Sequence, residues 1–405
     1  MSKCLVCDNK IKPFIDFGLM PIANAFETLE NMENEYKFPM EVGFCEECKM
    51  VQLLSQPERE KMFHENYAFF SSTSKYMQHH FNKLADNVIK HEQLDSDSFV
   101  VEIGCNDGIL ISNFQNSNVP CLGVEPSKNV ADVAKSRGID VLNEFFDQKI
   151  ALEIINKHKH ADVILSANVM CHIPYIHSIF KGIKTLLKED GIFVFEDPYL
   201  GDIIEKSSFD QIYDEHVFLF SAHSIDNVAN MNGLELIDIN PQITHGGSMR
   251  YTISHKGKRK KSIRVIDLIN KEKSRGLDSH IAFEKFAEDV DVINKNLIKL
   301  LTDLKSENKK VVAYGATSKS TTVTNFFNIT PDLVECIYDT TPIKHYKFSP
   351  GKHIPIRPYE EFHDSNPDYV LLFAWNHSVE IMKKEKDFMG NERKWITYFP
   401  VVEVI

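Results

Sequence analysis

Three groups of residues in this 405-residue chain have types and spacings that could do chemistry. The first is Val101-Glu102-Ile103-Gly104-Cys105-Asn106-Asp107-Gly108, with Glu125 following in Leu122-Gly123-Val124-Glu125. Residues 98–103 read as a short buried strand, and glycines at 104 and 108 let the backbone pass close to a ligand before entering a helix. The second apolar run ends in a carboxylate about twenty residues on, where a doubly wound sheet places an acid on a ribose diol. The loop does not spell the G-x-G-x-x-G of nicotinamide sites. On spacing alone it is either a nucleotide-type ligand loop or a plain turn. The second group is Cys4-x-x-Cys7 with Cys45-x-x-Cys48. Two such knuckles supply the four-thiolate shell that zinc prefers, and no open position or activating base accompanies them, so the expected role is structural. A redox pair or buried thiols is the other reading. The third group is Tyr213-Asp214-Glu215-His216, where an imidazole beside carboxylates suits proton transfer near neutral pH. Seventeen histidines occur in the chain, so His216 is not singled out by position alone.

The bulk composition bounds what these groups can serve. Hydrophobic content of 43% and charged content of 26% describe a soluble globular protein of two or three domains. A net charge of −12 argues against a nucleic-acid partner. Absence of an apolar run of about 18 residues argues against a membrane span, and Cys4 and Cys7 interrupt any signal-peptide core. A cytoplasmic location is the expectation, and there cysteines are read as metal ligands before disulfides. Cysteines 105, 121, 171 and 336 lie singly in apolar runs and read as small core residues. The basic stretch Lys256–Arg264 reads as a solvated linker.

The elements that must position these residues form an α/β pattern. Strands are expected at 98–103, 120–124, 162–166 and 191–196 with helix-length stretches between them, so the sheet should be parallel. The strand at 162–166 runs into Asn168, and Gly233–Ile239 with Gly247–Ser254 would close the sheet as an antiparallel pair. Tyr213 and His216 would share a face if the segment forms a helical turn. A long amphipathic helix is expected near 280–305. A second α/β unit begins at Lys310-Val311-Val312-Ala313-Tyr314-Gly315-Ala316-Thr317-Ser318-Lys319, with strands at 333–338 and 369–374. A lysine after a glycine loop at a strand end acts as a point charge on phosphate, which makes Lys319 a candidate phosphate ligand.

An acid, one variable residue, then Gly-x-x-x-Gly resembles the S-adenosylmethionine loop of class I methyltransferases. The order of motifs resembles the sugar C-methyltransferase family over nearly the whole chain. They are the cysteine pairs, Gly104-Cys105-Asn106-Asp107-Gly108, Tyr213-x-Glu215-His216, His245-Gly246-Gly247-Ser248-Met249-Arg250, Gly315-Ala316-x-x-Lys319, Tyr338-Asp339, Pro350–Pro355 and Ala374-Trp375-Asn376. The resemblance implies a zinc module at 1–62, a class I methyltransferase Rossmann-like core at 63–255, and a second Rossmann-like α/β domain at 256–405 that holds a nucleotide sugar. It implies S-adenosylmethionine and Zn2+ as cofactors, and methylation at C3 of a nucleotide-linked 4-keto-deoxysugar, carried on dTDP or another nucleoside diphosphate. Oligomeric state is left open. His216 would be the base, Glu215 would orient the site or bond to it, and Tyr213, His172 and Tyr67 would hold the sugar and its C4 oxygen. Glu102, Gly104, Asn106, Gly108, Glu125 and Asn168 would hold the methyl donor. Lys319, Ser318, Ser320, Arg250, His245, Asp339, Lys344, His353 and Asn376 would hold the substrate. For residues 245–250 a glycine turn into a strand is the competing reading. Two departures stand out: Ser320 replaces a glycine usual in relatives, and Phe69 and Phe70 stand where many have a second tyrosine. Two other functions stay open, methylation at oxygen or nitrogen and a non-catalytic or isomerising nucleotide-sugar binder.

Overall fold

The computed structural model describes residues 2–30, 32–58, 62, 71–390 and 392–405. Tyr67, Phe69 and Phe70 lie outside the described residues. Two cysteine turns open the fold. Asp8 and Lys49, each directly after the second cysteine of its pair, adopt left-handed φ of 57° and 63°. Their amides return to the carbonyls of Cys4 and Cys45 at 3.0 and 2.9 Å, which makes two matching knuckles. Between and after them run β1 (Lys12–Pro21), β2 (Lys37–Phe44) and β3 (Val51–Leu53), all antiparallel. The intervening segment is therefore richer in strand than its turn residues suggested. Its apolar side, including Ile15, Phe17 and Phe44, packs with the helix His280–Ser306 and the C-terminal sheet rather than forming a core of its own.

The central sheet uses β4 (Val100–Ile103), β5 (Cys121–Val124), β6 (Val141–Leu142), β7 (Ala161–Ala167) and β8 (Leu187–Pro198). A short β9 (Phe218–Leu219) leaves it, and β10 (Leu234–Gln242) with β11 (Ser248–His255) completes it. The order is β10-β11-β8-β7-β4-β5-β6, parallel except for β11. Its strands are apolar on both faces, as a sheet covered by helices on each side requires. Val101, Ile103 and Ile164 point to one core, and Val100, Val163 and Leu165 to the other. Strand order reverses between β4 and β7, so the ligand crevice lies at the carboxyl ends of those two strands.

β9 does not belong to this sheet. It pairs antiparallel with β3, Val51 opposite Leu219, and becomes the fourth strand of the N-terminal sheet. The basic stretch is largely solvated, as expected, but it is not a loose linker. Arg259 pairs with Glu92, Lys261 with Asp226 and Arg264 with Asp238, stitching it along the core. The helix Ile263–Ser274 then stays on the core, although the division at 255 assigns it to the third domain. Glu272 is buried there and accepts the Tyr199 hydroxyl at 2.8 Å and the amides of Ala222 and His223 at 2.8 and 3.0 Å.

The third sheet has β12 (Val311–Tyr314), β13 (Ile337–Asp339), β14 (Ile356–Pro358), β15 (Tyr369–Leu372), β16 (Lys394–Thr397) and β17 (Glu403–Val404). The order β14-β13-β12-β15-β16-β17 is parallel apart from β17, with its switch point at the end of β12. The two switch-point crevices meet where the turn Thr244–Gly246 touches Trp375: a Cβ on Gly246 would sit 2.1 Å from the indole. Among the described residues no helix is long and apolar enough to cross a membrane.

Removing Glu272 leaves three donors without their acceptor inside the fold. Glu272→Ala should lower unfolding free energy by about 3 kcal/mol, read from urea titration, against under 1 kcal/mol for exposed Glu284→Ala.

Candidate active site and zinc centre

The four thiols of Cys4, Cys7, Cys45 and Cys48 lie within 4.8 Å of one another, with Cys4–Cys48 at 3.5 Å and Cys7–Cys45 at 3.4 Å. Bond lengths of about 2.3 Å to a tetrahedral zinc put sulfurs about 3.8 Å apart, so the set fits Zn2+ with little movement. Three of the cysteines are buried, and all four come from the rigid knuckles. The ion's role there is structural, since four protein ligands leave no position for a substrate.

The donor loop is built on two glycines. Gly104 has φ +71° and a Cβ there would meet Val169 at 2.4 Å, while Gly108 has φ +83° and would meet Ile139 at 2.2 Å. Any side chain would close the cradle, which fits close passage of a ligand over the loop. Glu125 braces it, accepting the Asn106 amide at 2.9 Å and the Ser127 amide at 2.8 Å. A carboxylate offers about four lone-pair sites, so this leaves capacity for a diol. Glu102 is buried beneath the loop, where burial raises its carboxyl well above the usual range, and its Oε2 has no hydrogen-bond partner. Asn168, at φ 56°, donates its amide to the Glu196 carbonyl at 2.7 Å and closes the other side of the crevice. This loop, brace and orphaned acceptor fit S-adenosylmethionine.

Across the crevice stands a ring cluster. His216 and Tyr213 come from one tight turn, not a helix: the His216 amide donates to the Tyr213 carbonyl at 2.9 Å, and their rings lie 4.1 Å apart. His172, in the turn Met170–His172 after β7, stacks on His216 at 5.3 Å and 21°. His216 Nδ1–H donates to the Gln211 carbonyl at 2.6 Å. A carbonyl only accepts, so the lone pair must be on Nε2. Burial, helped by the His172 ring, holds the His216 imidazole well below its ordinary range. It is therefore neutral at pH 7 and able to accept a proton. The Tyr213 phenol is pushed far up by burial and by Glu215, and stays protonated.

Neighbouring units grip this turn. The Asp214 carboxylate accepts the Ala23 amide at 2.9 Å, Glu215 accepts Asn24 Nδ2 at 2.8 Å, and Thr322 donates to the Ile212 carbonyl at 3.0 Å. Asp210 is fully buried and accepts from Trp375 Nε1 at 2.8 Å and the Tyr398 hydroxyl at 2.7 Å. Glu215 thus reaches the N-terminal segment, while the Gln211 carbonyl fixes the His216 ring.

The predicted substrate residues divide in two. Lys319 turns into the cleft: Asp210 partly offsets the lowering of its pKa by burial, and its charge is felt by His216 and His245. Ser318 donates to Asn24 Oδ1 at 3.0 Å. His245, at φ 53°, has a buried Nε2 without a hydrogen-bond partner. Arg250 pairs with Glu196, which also meets His80 Nε2 at 2.6 Å; burial pushes the carboxyl up, but its bonds to these partners and the Arg250 charge hold it below its usual range. The others are spent within the protein. Ser320 is fully buried and donates to the Thr317 carbonyl at 2.6 Å because it occupies the third position of a helix capped by Thr317, so it faces away from a phosphate. Asp339 accepts the amides of Ala316 and Thr341, both at 2.8 Å, and Lys344 donates to the Ala316 carbonyl at 2.8 Å, so both shape the Gly315 loop. His353 meets Glu35 at 3.3 Å. Asn376 sits in the turn Trp375–His377, where its neighbour Trp375 makes the contact to the core. Sequence reasoning missed Asn24, His80, Glu196, Asp210 and Trp375. A buried carboxylate inside the conspicuous 209–216 run was the one readable signal.

Because β3 follows Cys48 by three residues and pairs with β9, zinc loss should loosen the base. Cys45→Ser should bind less than a tenth of the zinc, melt at least 5 °C lower and lose most methyl transfer, read by metal analysis, calorimetry and assay. Buried His172 and His245 are held down to about 4 and about 3. Between those values and about 6.5 the unfolded chain binds more protons than the folded one, so stability is full above pH 6.5 and is lost as pH falls. His172→Asn should flatten that slope by up to about 1.4 kcal/mol per pH unit in urea titrations near pH 5 and 6.

The chain matches known families along its length. Residues 4–63 match a zinc binding domain, 75–239 a methyltransferase domain and 243–400 the C-methyltransferase C-terminal domain. It is 29% identical to C-methyltransferase NovU of Streptomyces niveus, over 100% of this chain and 97% of that one. A ubiquinone biosynthesis O-methyltransferase of Glaesserella parasuis is 29% identical over 99 residues, 23% of this chain and 42% of that one. Among solved structures, PH0226 from Pyrococcus horikoshii overlaps 50% of this chain and 100% of its own at 14% identity and a TM-score of 0.38. A SAM-dependent methyltransferase from Anabaena variabilis overlaps 43% and 84% at 16% identity and 0.35. Three domain matches in one order and a relative aligned end to end identify a zinc-containing, S-adenosylmethionine-dependent methyltransferase that is similar to C-methyltransferases along its length.

Proposed function

We propose that the enzyme methylates the carbon beside a ketone, at C3 of a nucleotide-linked 4-keto-deoxysugar, through an enolate. The observation that carries this reading is His216: a neutral imidazole, its tautomer set by the Gln211 carbonyl, packed with Tyr213 and His172 across the crevice from the donor loop. Methylation of a hydroxyl or amine needs no base strong enough for a C–H bond. A C–H next to a carbonyl does, because its electrons must pass to the ketone oxygen.

S-adenosylmethionine, held by the Gly104–Gly108 loop with Glu102, Asn106, Glu125 and Asn168, supplies an electrophilic methyl on a sulfonium. His216 Nε2 accepts the proton from C3. Tyr213, protonated because of burial, and His172 donate to the C4 oxygen as charge develops there; such donors are commonly worth several kcal/mol of barrier. Tyr67 is assigned to the same role on the family resemblance. Glu215, fixed by Asn24, holds the turn. The enolate carbon would then bond to the donor's methyl in line, the C–S electron pair leaving with the neutral thioether, and positioning would supply much of the remaining acceleration. Lys319, with Ser318, Arg250 and His245 nearby, receives the nucleotide end of the substrate. NovU, a C-methyltransferase by name, supports carbon as the acceptor.

The test is proton exchange in heavy water with a panel of nucleotide-linked 4-keto-6-deoxysugars. Deuterium should enter beside the ketone without the donor, and a methyl group should be gained only with it. His216→Asn should lose both by at least a hundredfold. Methyl gain that survives His216→Asn would move the reaction to oxygen or nitrogen. Since the imidazole pKa is depressed, the wild-type rate should stay flat from pH 8 down to about pH 6, where an unperturbed histidine would already be about three-quarters protonated.

A further inference from the structure

Beside the ring cluster lies a thiol that the proposed reaction leaves idle. Cys171, His172 and His216 bring one sulfur and two ring nitrogens within 4.8 Å of one another. Cys171 and His172 are consecutive in the turn after β7, while His216 comes from the opposing turn, so the three converge from two elements. His216 Nδ1 is committed to the Gln211 carbonyl, leaving Nε2 as its donor atom. One sulfur with two imidazole nitrogens selects borderline-soft ions such as Zn2+ and Co2+ over Mg2+ and Ca2+. A tetrahedral ion with bonds of about 2.0–2.3 Å holds its ligand atoms about 3.3–3.8 Å apart, so closing the site takes shifts of about 1 Å. Independent support comes from Asp197. It is completely buried, accepts the Cys171 amide through Oδ2 at 3.2 Å, and its Oδ1 has no hydrogen-bond partner. A thiolate with this carboxylate in the outer shell balances a divalent charge.

We propose that Cys171, His172 and His216 form a second metal site, distinct from the four-thiolate centre, which takes Zn2+ or Co2+ and shuts the catalytic pocket. Binding breaks the thiol S–H bond and ionises the Asp197 carboxyl, and both protons leave to solvent. The imidazoles donate lone pairs and no electrons are transferred. A fourth position remains for water. With its Nε2 lone pair on the ion, His216 cannot take a proton from substrate, so the ion inhibits competitively against the sugar.

The inhibition rests on the proposed function, whereas the binding does not. The full-length protein, with zinc in its four-thiolate centre, is titrated with Co2+. The expected result is one further equivalent carrying a thiolate-to-cobalt absorption in the near ultraviolet, with methyl transfer falling in parallel and recovering on brief chelation. Cys171→Ser should keep basal methylation, lose the absorption and need at least ten times more cobalt for half inhibition. Cobalt bound without thiolate absorption, no further equivalent while the zinc stays in place, or equal inhibition of wild type and Cys171→Ser would overturn the proposal. If Cys171→Ser does not fold, the wild-type spectrum decides. Absence of methyl transfer on every sugar would strike the proposed function while the cobalt spectrum still tests the site.

Discussion

The turn that carries His216 cannot hold its own shape, and the rest of the molecule is arranged around that fact. Residues 209–219 contain three acids, a histidine and a tyrosine, nearly all buried. Burying such groups costs about 2 kcal/mol or more apiece unless each finds a partner. The turn supplies the Gln211 carbonyl for the His216 ring, but the partners of its acids come from elsewhere. The N-terminal segment supplies Ala23 and Asn24, the strand β3 supplies a ladder for β9, and the third sheet supplies Thr322, Trp375 and Tyr398. The domains are therefore joined through the turn that carries His216 rather than around it.

The same burial sets the charge state of the site. Desolvation lifts Asp197 and Asp214 to about 8 and Asp210 to about 6, and it pushes His172, His216 and His245 down. Both effects favour neutral forms. A raised carboxyl makes the folded state bind more protons than the unfolded one, so its contribution to stability declines as pH rises from about 4 towards its folded pKa. The buried imidazoles do the reverse below about 6.5. A pocket kept neutral in this way leaves Lys319 as the dominant nearby charge, offset in part by Asp210. A ligand bringing negative phosphates would meet there a cation that Asp210 matches only in part.

Much of this was legible in the residues. The cysteine pairs, the glycine loop with Glu125, and alternating strand and helix lengths specify local geometry, and local geometry follows from types at fixed spacing. His172 and His216 were readable as a pair through the family resemblance alone, since no sequence rule places two turns face to face. Roles that depend on which way a side chain turns were not legible. Ser320 looks like a phosphate ligand until its helix cap directs the hydroxyl back to Thr317. Asp339 looks like a ligand acid until its two oxygens are found holding Ala316 and Thr341. Asp210 looked like one acid among several because its partners lie in another domain. The basic run 256–264 reads as a tether because its matching acids are spread over four distant elements.

The bond from Tyr398 to Asp210 spans 188 positions of the chain, and it has a consequence for synthesis. Domains emerge and fold from the amino end, at about 5–20 residues per second. The first two sheets can therefore form while the segment that fixes Asp210 is still inside the ribosome. Until residues 375 and 398 have been made and folded, the loop 209–216 lacks two of the donors that seat it. The setting of His216 is thereby completed only by the third sheet, and a chain cut short before Tyr398 never acquires it.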